Sequence, residues 1–260
     1  YYGRDYEKRV RRMDFHGKVV WVTGSSSGIG EATIKEFASL GADVVIHYYQ
    51  HKEQAESIEK FIQSHYQVET LLVQGDVANE EDVKRMVEEV LNKFGQIDVL
   101  VNNAGIAIDT MFEDKTVDNF RRTLDVNLIG TFLMGKYIGK IMFNQKTGRI
   151  INISSTNGID TVYPESIDYD ASKAGVLSLT KNLAIQYAPY VLVNTLAPGW
   201  VNTPMNQELD SEMIEAEEKK ILLGRFASPE EIAHVVVFLA SDKASYINAS
   251  VLRVDGGFYV

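Results

Sequence analysis

Seven short apolar runs rich in β-branched residues recur along the chain: KVVWVT (18–23), DVVIHY (43–48), ETLLV (69–73), IDVLVN (97–102), RIINIS (149–154), VLVNTL (191–196) and SVLRV (250–254). Their near-continuous apolarity, without strict alternation, is the pattern of strands covered on both faces. Helical patterns fill the intervals, and crossovers of that kind join parallel strands. The expected fold is therefore α/β, a doubly wound parallel sheet with helices on both faces.

Local signals mark the helices. Ser27 to Leu40 stops at Gly41, Asn79 can cap Glu80 to Phe94 with Gly95 as the stop, and Pro229 opens Glu230 to Ala240. No linker or composition break divides residues 14–260, which read as one domain behind a basic arm, residues 1–13. That arm either precedes a native start at Met13 or extends the native surface. One stretch, Gly199 to Gly224, is polar and acidic and interrupts the strand–helix alternation. It reads either as a flap over a ligand or as a surface helix pair.

Composition narrows the function. A formal net charge of −10 argues against nucleic acid as the main partner, because phosphate binding needs a basic face. The chain has no cysteine, which excludes disulfides and thiolate chemistry and fits a reducing compartment. Its five histidines are scattered without ligand spacing, so no metal is expected. Neither a secretory signal nor a membrane-length apolar run is present, and a cytoplasmic protein acting on small molecules is expected.

Between the first run and its helix lies TGSSSGIG, residues 23–30. Glycines at that junction let the backbone approach a pyrophosphate, whose charge is favoured by the N–H groups of the helix N-terminus. Gly24, Ser25, Ser26, Ser27, Gly28, Ile29 and Gly30 are accordingly candidate cofactor contacts. In YDASKAG, Tyr169 and Lys173 stand four residues apart on one helix face, where an ammonium can lower the pKa of a phenol toward the working range of an acid or base. The same spacing at Tyr48 and Lys52 straddles a strand end and does not share a helix face.

These features, with NNAG (102–105), the two serines of RIINISSTNG and PGWVNTP (198–204), resemble the short-chain dehydrogenase/reductase family over about Phe15 to Val260. The resemblance implies a Rossmann-like sheet of seven strands in the order 3-2-1-4-5-6-7 that binds NAD or NADP. It also implies Ser155, with Ser154 as the fallback by register, as the hydroxyl orienting the substrate oxygen. Tyr169 would be the proton donor, Lys173 its partner and a ribose ligand, and Asn127 of LDVNLIGTF the helix-bending holder of a relay water. Asn103, Ala104 and Gly105, Asp76 and Val77 of GDV, and Pro198, Gly199, Val201 and Thr203 would touch the cofactor. Asp76 reads equally as a helix cap or turn residue.

The second strand ends at Tyr48, where members specific for NAD carry an acidic residue. Its absence removes a charge that would repel a 2′-phosphate. No arginine follows it, so Tyr48, Tyr49, Ser25, His51 and Lys52 are the candidate donors, and NADP is expected over NAD. Within the family the chain looks most like reductases of 3-oxoacyl groups carried on acyl-carrier protein. A basic docking surface is then expected from Arg121, Arg122, Lys140, Lys146 and Arg149. A sugar or polyol dehydrogenase is the alternative enzyme, with Asp160, Tyr163, Glu165 and Asp168 as hydroxyl ligands, and a non-catalytic cofactor binder is the alternative of another class. The resemblance further implies a homotetramer packed through helices Val117 to Asn144 and Ile167 to Tyr187.

Overall fold

The computed structural model describes residues 13–206 and 209–258; the basic arm lies outside them, apart from Met13. Strands β1 (Val19–Val22), β2 (Asp43–Tyr48), β3 (Thr70–Gln74), β4 (Val99–Asn102), β5 (Gly148–Ile153), β6 (Val191–Pro198) and β7 (Val251–Val254) form one sheet. Its order is β3-β2-β1-β4-β5-β6-β7, parallel throughout. The doubly wound arrangement is thus the one expected.

Period-2 alternation explains why the strands are apolar on both faces. Val20, Val22, Val44, Ile46, Val99 and Val101 enter one core with Ile34 and Phe37 of α1 (Gly28–Ser39), Ile58 of α2 (Lys52–His65) and Val236 of α8 (Pro229–Ala240). Val19, Trp21, Val45 and Leu100 enter the other. There they meet Met86 of α3 (Glu80–Phe94), Ile138 of α5 (Gly130–Gln145) and Leu183 of α6 (Ile167–Tyr187). Asn79 Oδ1 accepts the N–H groups of Glu81 and Asp82 at the start of α3. Ser228 and Glu231 cap α8 reciprocally ahead of Pro229.

The long helix expected from Val117 to Asn144 is interrupted. Helix α4 (Val117–Leu124) passes through a π segment, Asp125–Ile129, before α5 begins. The extra residue in the hydrogen-bond ladder falls around Asn127, whose amide turns inward to bond both main-chain groups of Ile106 at 2.8 and 2.9 Å. Within 199–224 the described residues form a short 3-10 turn (Pro204–Asn206) and one helix, α7 (Ser211–Glu218), rather than a helix pair. No helix among the described residues is long and apolar enough to cross a membrane.

Candidate active site

The loops at the carboxyl ends of the strands enclose a cavity of about 670 Å³. Its glycine-loop end is walled by Gly24, Ser26, Ser27, Gly28 and Ile29, and NNAG contributes Asn103, Ala104 and Gly105. Asp76 and Val77, which follow β3, also line the cavity. Pro198, Gly199, Val201 and Thr203 bring the flap over the middle, where Ser155, Tyr169 and Lys173 converge.

Four candidate cofactor contacts, Ser25, Gly30, Tyr48 and Lys52, are not on that wall. Ser25 is fully buried, and its Oγ accepts the His47 N–H at 2.9 Å. Gly30 packs within the fold: a Cβ there would stand 2.3 Å from the Gly24 carbonyl oxygen and 2.5 Å from Asn103 Nδ2. Tyr48 shares the face of Val44 and Ile46 and packs against the α1 and α2 core, so alternation along β2 turns it from the cavity. Its neighbours Tyr49, Gln50 and His51 line the cavity instead, whereas Lys52 begins α2 and faces Glu56 at 3.6 Å. Replacing Gly30 by Ala should weaken nicotinamide-dinucleotide affinity about tenfold or more, because the added Cβ strikes the backbone of the glycine loop. Titration of NADPH fluorescence measures this, and unaltered affinity would refute it.

His47 is a functional residue that sequence reasoning passed over. Its Nδ1 accepts the Gly24 N–H at 2.9 Å, so the other ring nitrogen carries the proton and donates to the Gly75 carbonyl at 3.0 Å. The ring ties the glycine loop to the end of β3. Burial pulls its pKa down to about 4, against the Gly75 hydrogen bond and the nearby Asp76 charge. Arg122, expected on a docking surface, donates to Asp76 Oδ2 at 2.9 Å and lies over the Tyr49 ring at 5.8 Å. Asp76 Oδ1 meanwhile accepts the Ala78 N–H at 2.9 Å, so Asp76 is also the turn residue its local pattern allows.

Around the phenol the two serines separate by role. Ser154 Oγ donates to the Lys173 carbonyl at 2.8 Å and so pins α6 to β5. The Ser155 hydroxyl lines the cavity and works to lower the pKa of the Tyr169 phenol. It also donates to Asn157 Oδ1 at 3.0 Å, and Asn157 Nδ2 donates to Asp170 Oδ1 at 2.7 Å. Neither Asn157 nor Asp170 had been singled out. Burial raises the Asp170 carboxyl, against the Asn157 hydrogen bond.

Lys173 Nζ stands 5.4 Å from the Tyr169 ring centroid and donates to the Ile153 carbonyl at 2.9 Å. Burial pulls the ammonium down to about 8 and pushes the phenol up to about 12, with the Ser155 hydroxyl opposing the latter. The phenol therefore lies above its ordinary value rather than below it, and Ser155, not the lysine, is the group that opposes desolvation. Asn127 is 1% exposed, off the cavity wall, and its Nδ2 also reaches Ser172 Oγ at 3.0 Å. A Cβ on Gly105 would meet both Asn127 Oδ1 and Lys173 Nζ, at 3.3 and 3.4 Å, which places the two side chains around one backbone position.

Asp168, a hydroxyl ligand in the polyol reading, is wholly buried in the first turn of α6. It pairs with Lys115 at 2.9 Å and accepts from Thr123 at 2.7 Å, so no sugar reaches it. Asp160 is held by Arg253 at 2.7 Å, while Tyr163 and Glu165 line the cavity. The five-residue docking surface also divides. Arg121 and Arg122 lie on α4, Arg122 lining the cavity, and Lys140 lies on α5, but Lys146 and Arg149 lie where α5 turns into β5, at the amino ends of the strands. There Arg149 is mostly covered and faces Asp242 at 3.6 Å.

The cradle fits a dinucleotide. Ser27 makes no side-chain cap bond at the start of α1, so the first N–H groups of the helix are free for an anion, and Gly24 packs so closely on Ala104 that a Cβ would stand 2.9 Å from its Cα. Residues 24–259 match the family model described as enoyl-(acyl carrier protein) reductase, a short-chain dehydrogenase model. The chain belongs to the short-chain dehydrogenase/reductase family. It is 41% identical over 248 residues to the 3-oxoacyl-[acyl-carrier-protein] reductase FabG of Aquifex aeolicus, covering 95% of this chain and 99% of that one. It is also 40% identical to 3beta-hydroxysteroid dehydrogenase 1 of Eggerthella lenta, over 94% of each chain. Among solved structures, levodione reductase superposes with a TM-score of 0.88 at 35% identity, covering 94% of this chain and 98% of that one. Membership makes this an NAD(P)-dependent oxidoreductase acting on carbonyl and alcohol groups.

Proposed function

We propose that the protein reduces the 3-keto group of a 3-oxoacyl thioester with NADPH. The observation that carries this is the convergence of Ser155, Tyr169 and Lys173 at a cavity whose continuation is apolar, walled by Ile106, Trp200, Leu209, Met213 and Phe258. The reduced nicotinamide supplies the hydride to the carbonyl carbon. Ser155 hydrogen-bonds the oxygen as its charge grows, and the Tyr169 phenol gives its proton to that oxygen, leaving a hydroxyl and a phenolate. Lys173, charged beside the ring, favours the phenolate so formed.

NADP(H) preference is supported by the lack of a carboxylate at the end of β2 and by Arg122, whose guanidinium stands at that end of the cavity with Tyr49 and His51. The names of the FabG relatives support a carrier-linked substrate. A homotetramer fits the exposed Phe132 and Phe143 of α5 and Ile185 of α6, and a cytoplasmic site fits the absence of cysteine. The test follows NADPH and NADH absorbance with a 3-oxobutanoyl thioester. Rapid NADPH oxidation with weaker NADH use is expected; no oxidation of either cofactor would overturn the substrate, and NADH use at equal efficiency would overturn the cofactor choice.

A further inference from the structure

Glu217, on α7, is 4% exposed, off the cavity wall, and has no part in the hydride and proton steps. A carboxylate that deep in a flap requires partners. Its Oε2 accepts from the Tyr163 hydroxyl at 2.8 Å and from Trp200 Nε1 at 3.0 Å, and its Oε1 accepts from Lys220 Nζ at 2.6 Å. Desolvation works against the charge, but these donors outweigh it and hold the carboxyl below its ordinary range.

The two aromatic partners come from different loops. Tyr163 precedes α6 on the loop that follows Ser155, and Trp200 opens the flap after β6. Both rings line the substrate end of the cavity. They meet edge to face at 5.8 Å, and Trp200 stacks on Phe226 at 5.3 Å with the planes 10° apart. Phe226 in turn packs in a small core with Ile221 and Phe258. One carboxylate therefore holds the polar edges of two wall residues that no strand or helix holds together.

We propose that Glu217 is a specificity-determining residue: by tethering Tyr163 and Trp200 to the flap helix it fixes the width of the substrate cavity and so selects short, slender acyl chains over longer ones. The selection by chain length rests on the thioester reading; the tether itself does not. Loosening the wall removes contacts that a short chain needs and gives room that a long chain uses, so the two substrates respond in opposite directions.

The experiment compares wild type, Glu217→Ala and Glu217→Gln on 3-oxobutanoyl and 3-oxooctanoyl N-acetylcysteamine thioesters. Glu217→Ala should raise the long-to-short ratio of kcat/KM by about fivefold or more, carried by KM rather than kcat. Glu217→Gln keeps an acceptor for both donors and should hold the ratio close to wild type. A ratio unchanged in Glu217→Ala, or an equal loss of kcat on both substrates in both variants, would overturn the proposal.

Fluorescence gives an independent readout, because the chain has two tryptophans and Trp21 is fully buried. Acrylamide quenching should rise in Glu217→Ala but not in Glu217→Gln, and the rise should vanish in a Trp200→Phe background. No rise in quenching would show that the tether does not fix Trp200. If wild type turns over neither thioester, the thioester reading falls, and the same ratio on a small and a bulky cyclic ketone decides the role of Glu217. Should Glu217→Ala fail to fold, Tyr163→Phe removes one tether alone and should shift the ratio in the same direction.

Discussion

Replacing Tyr169 by Phe should lower kcat by about a thousandfold or more while leaving the dissociation constant for NADPH within about twofold. The ring that stands 5.4 Å from Lys173 Nζ remains, so the packing of α6 over the cavity is kept and only the hydroxyl is lost. Burial holds the phenol at about 12, which leaves it protonated at neutral pH. A phenol in that state suits reduction, because the alkoxide formed by hydride addition is a far stronger base than phenolate and takes the proton readily. Oxidation of an alcohol asks the reverse of the same group and meets a phenol that resists ionisation. The pH profile of the reductive direction should therefore be flat from neutrality until Lys173, pulled to about 8 by burial, loses its proton. Steady-state rates with NADPH, run beside a fluorescence titration, check both halves. A variant retaining full turnover would remove Tyr169 as the proton donor.

The parts of this candidate site that were legible in the sequence are those set by local backbone geometry alone. TGSSSGIG could be read because a strand, a tight approach and a helix N-terminus leave few alternatives to glycine, and Tyr169 and Lys173 because helical spacing fixes their common face. Less legible were side chains whose partners come from elsewhere in the chain. Arg122 read as a surface cation until the approach of α4 to β3 set it on Asp76, and Asp168 read as a possible hydroxyl ligand until Lys115 covered it. Tyr48 shows a different limit: a strand end fixes which residue is last, but the pleat decides which one faces the ligand. The π segment at Asn127 left no mark in the apolar pattern; only the family resemblance pointed to a bend there. Nor could spacing foresee that Lys173 would give a hydrogen to Ile153 and let burial govern the phenol.

His47 should make the fold acid-labile in a defined window. Its pKa in the folded protein is about 4, against 6.5 for the ordinary imidazole, so the unfolded chain takes up a proton that the native ring refuses. The stability this ring contributes is full above the unfolded pKa, declines as pH falls through the interval between the two values, and is lost once pH reaches the folded value. The difference corresponds to about 3 kcal/mol. Geometry supplies the reason. A second ring proton would point at the Gly24 N–H, turning an acceptor into a donor, and Asp76, the charge that raises the ring's pKa, is itself engaged by Arg122.

The partner measurement is His47→Asn, whose side-chain oxygen can still accept from Gly24 but does not titrate. Urea unfolding of both proteins across that window separates His47 from the other acid-sensitive groups, because those groups are common to the two. Wild type should lose about 3 kcal/mol more than the variant between neutral pH and the folded pKa. Parallel losses would show that the imidazole takes its proton without cost, and the tie between the glycine loop and β3 would then rest on other contacts.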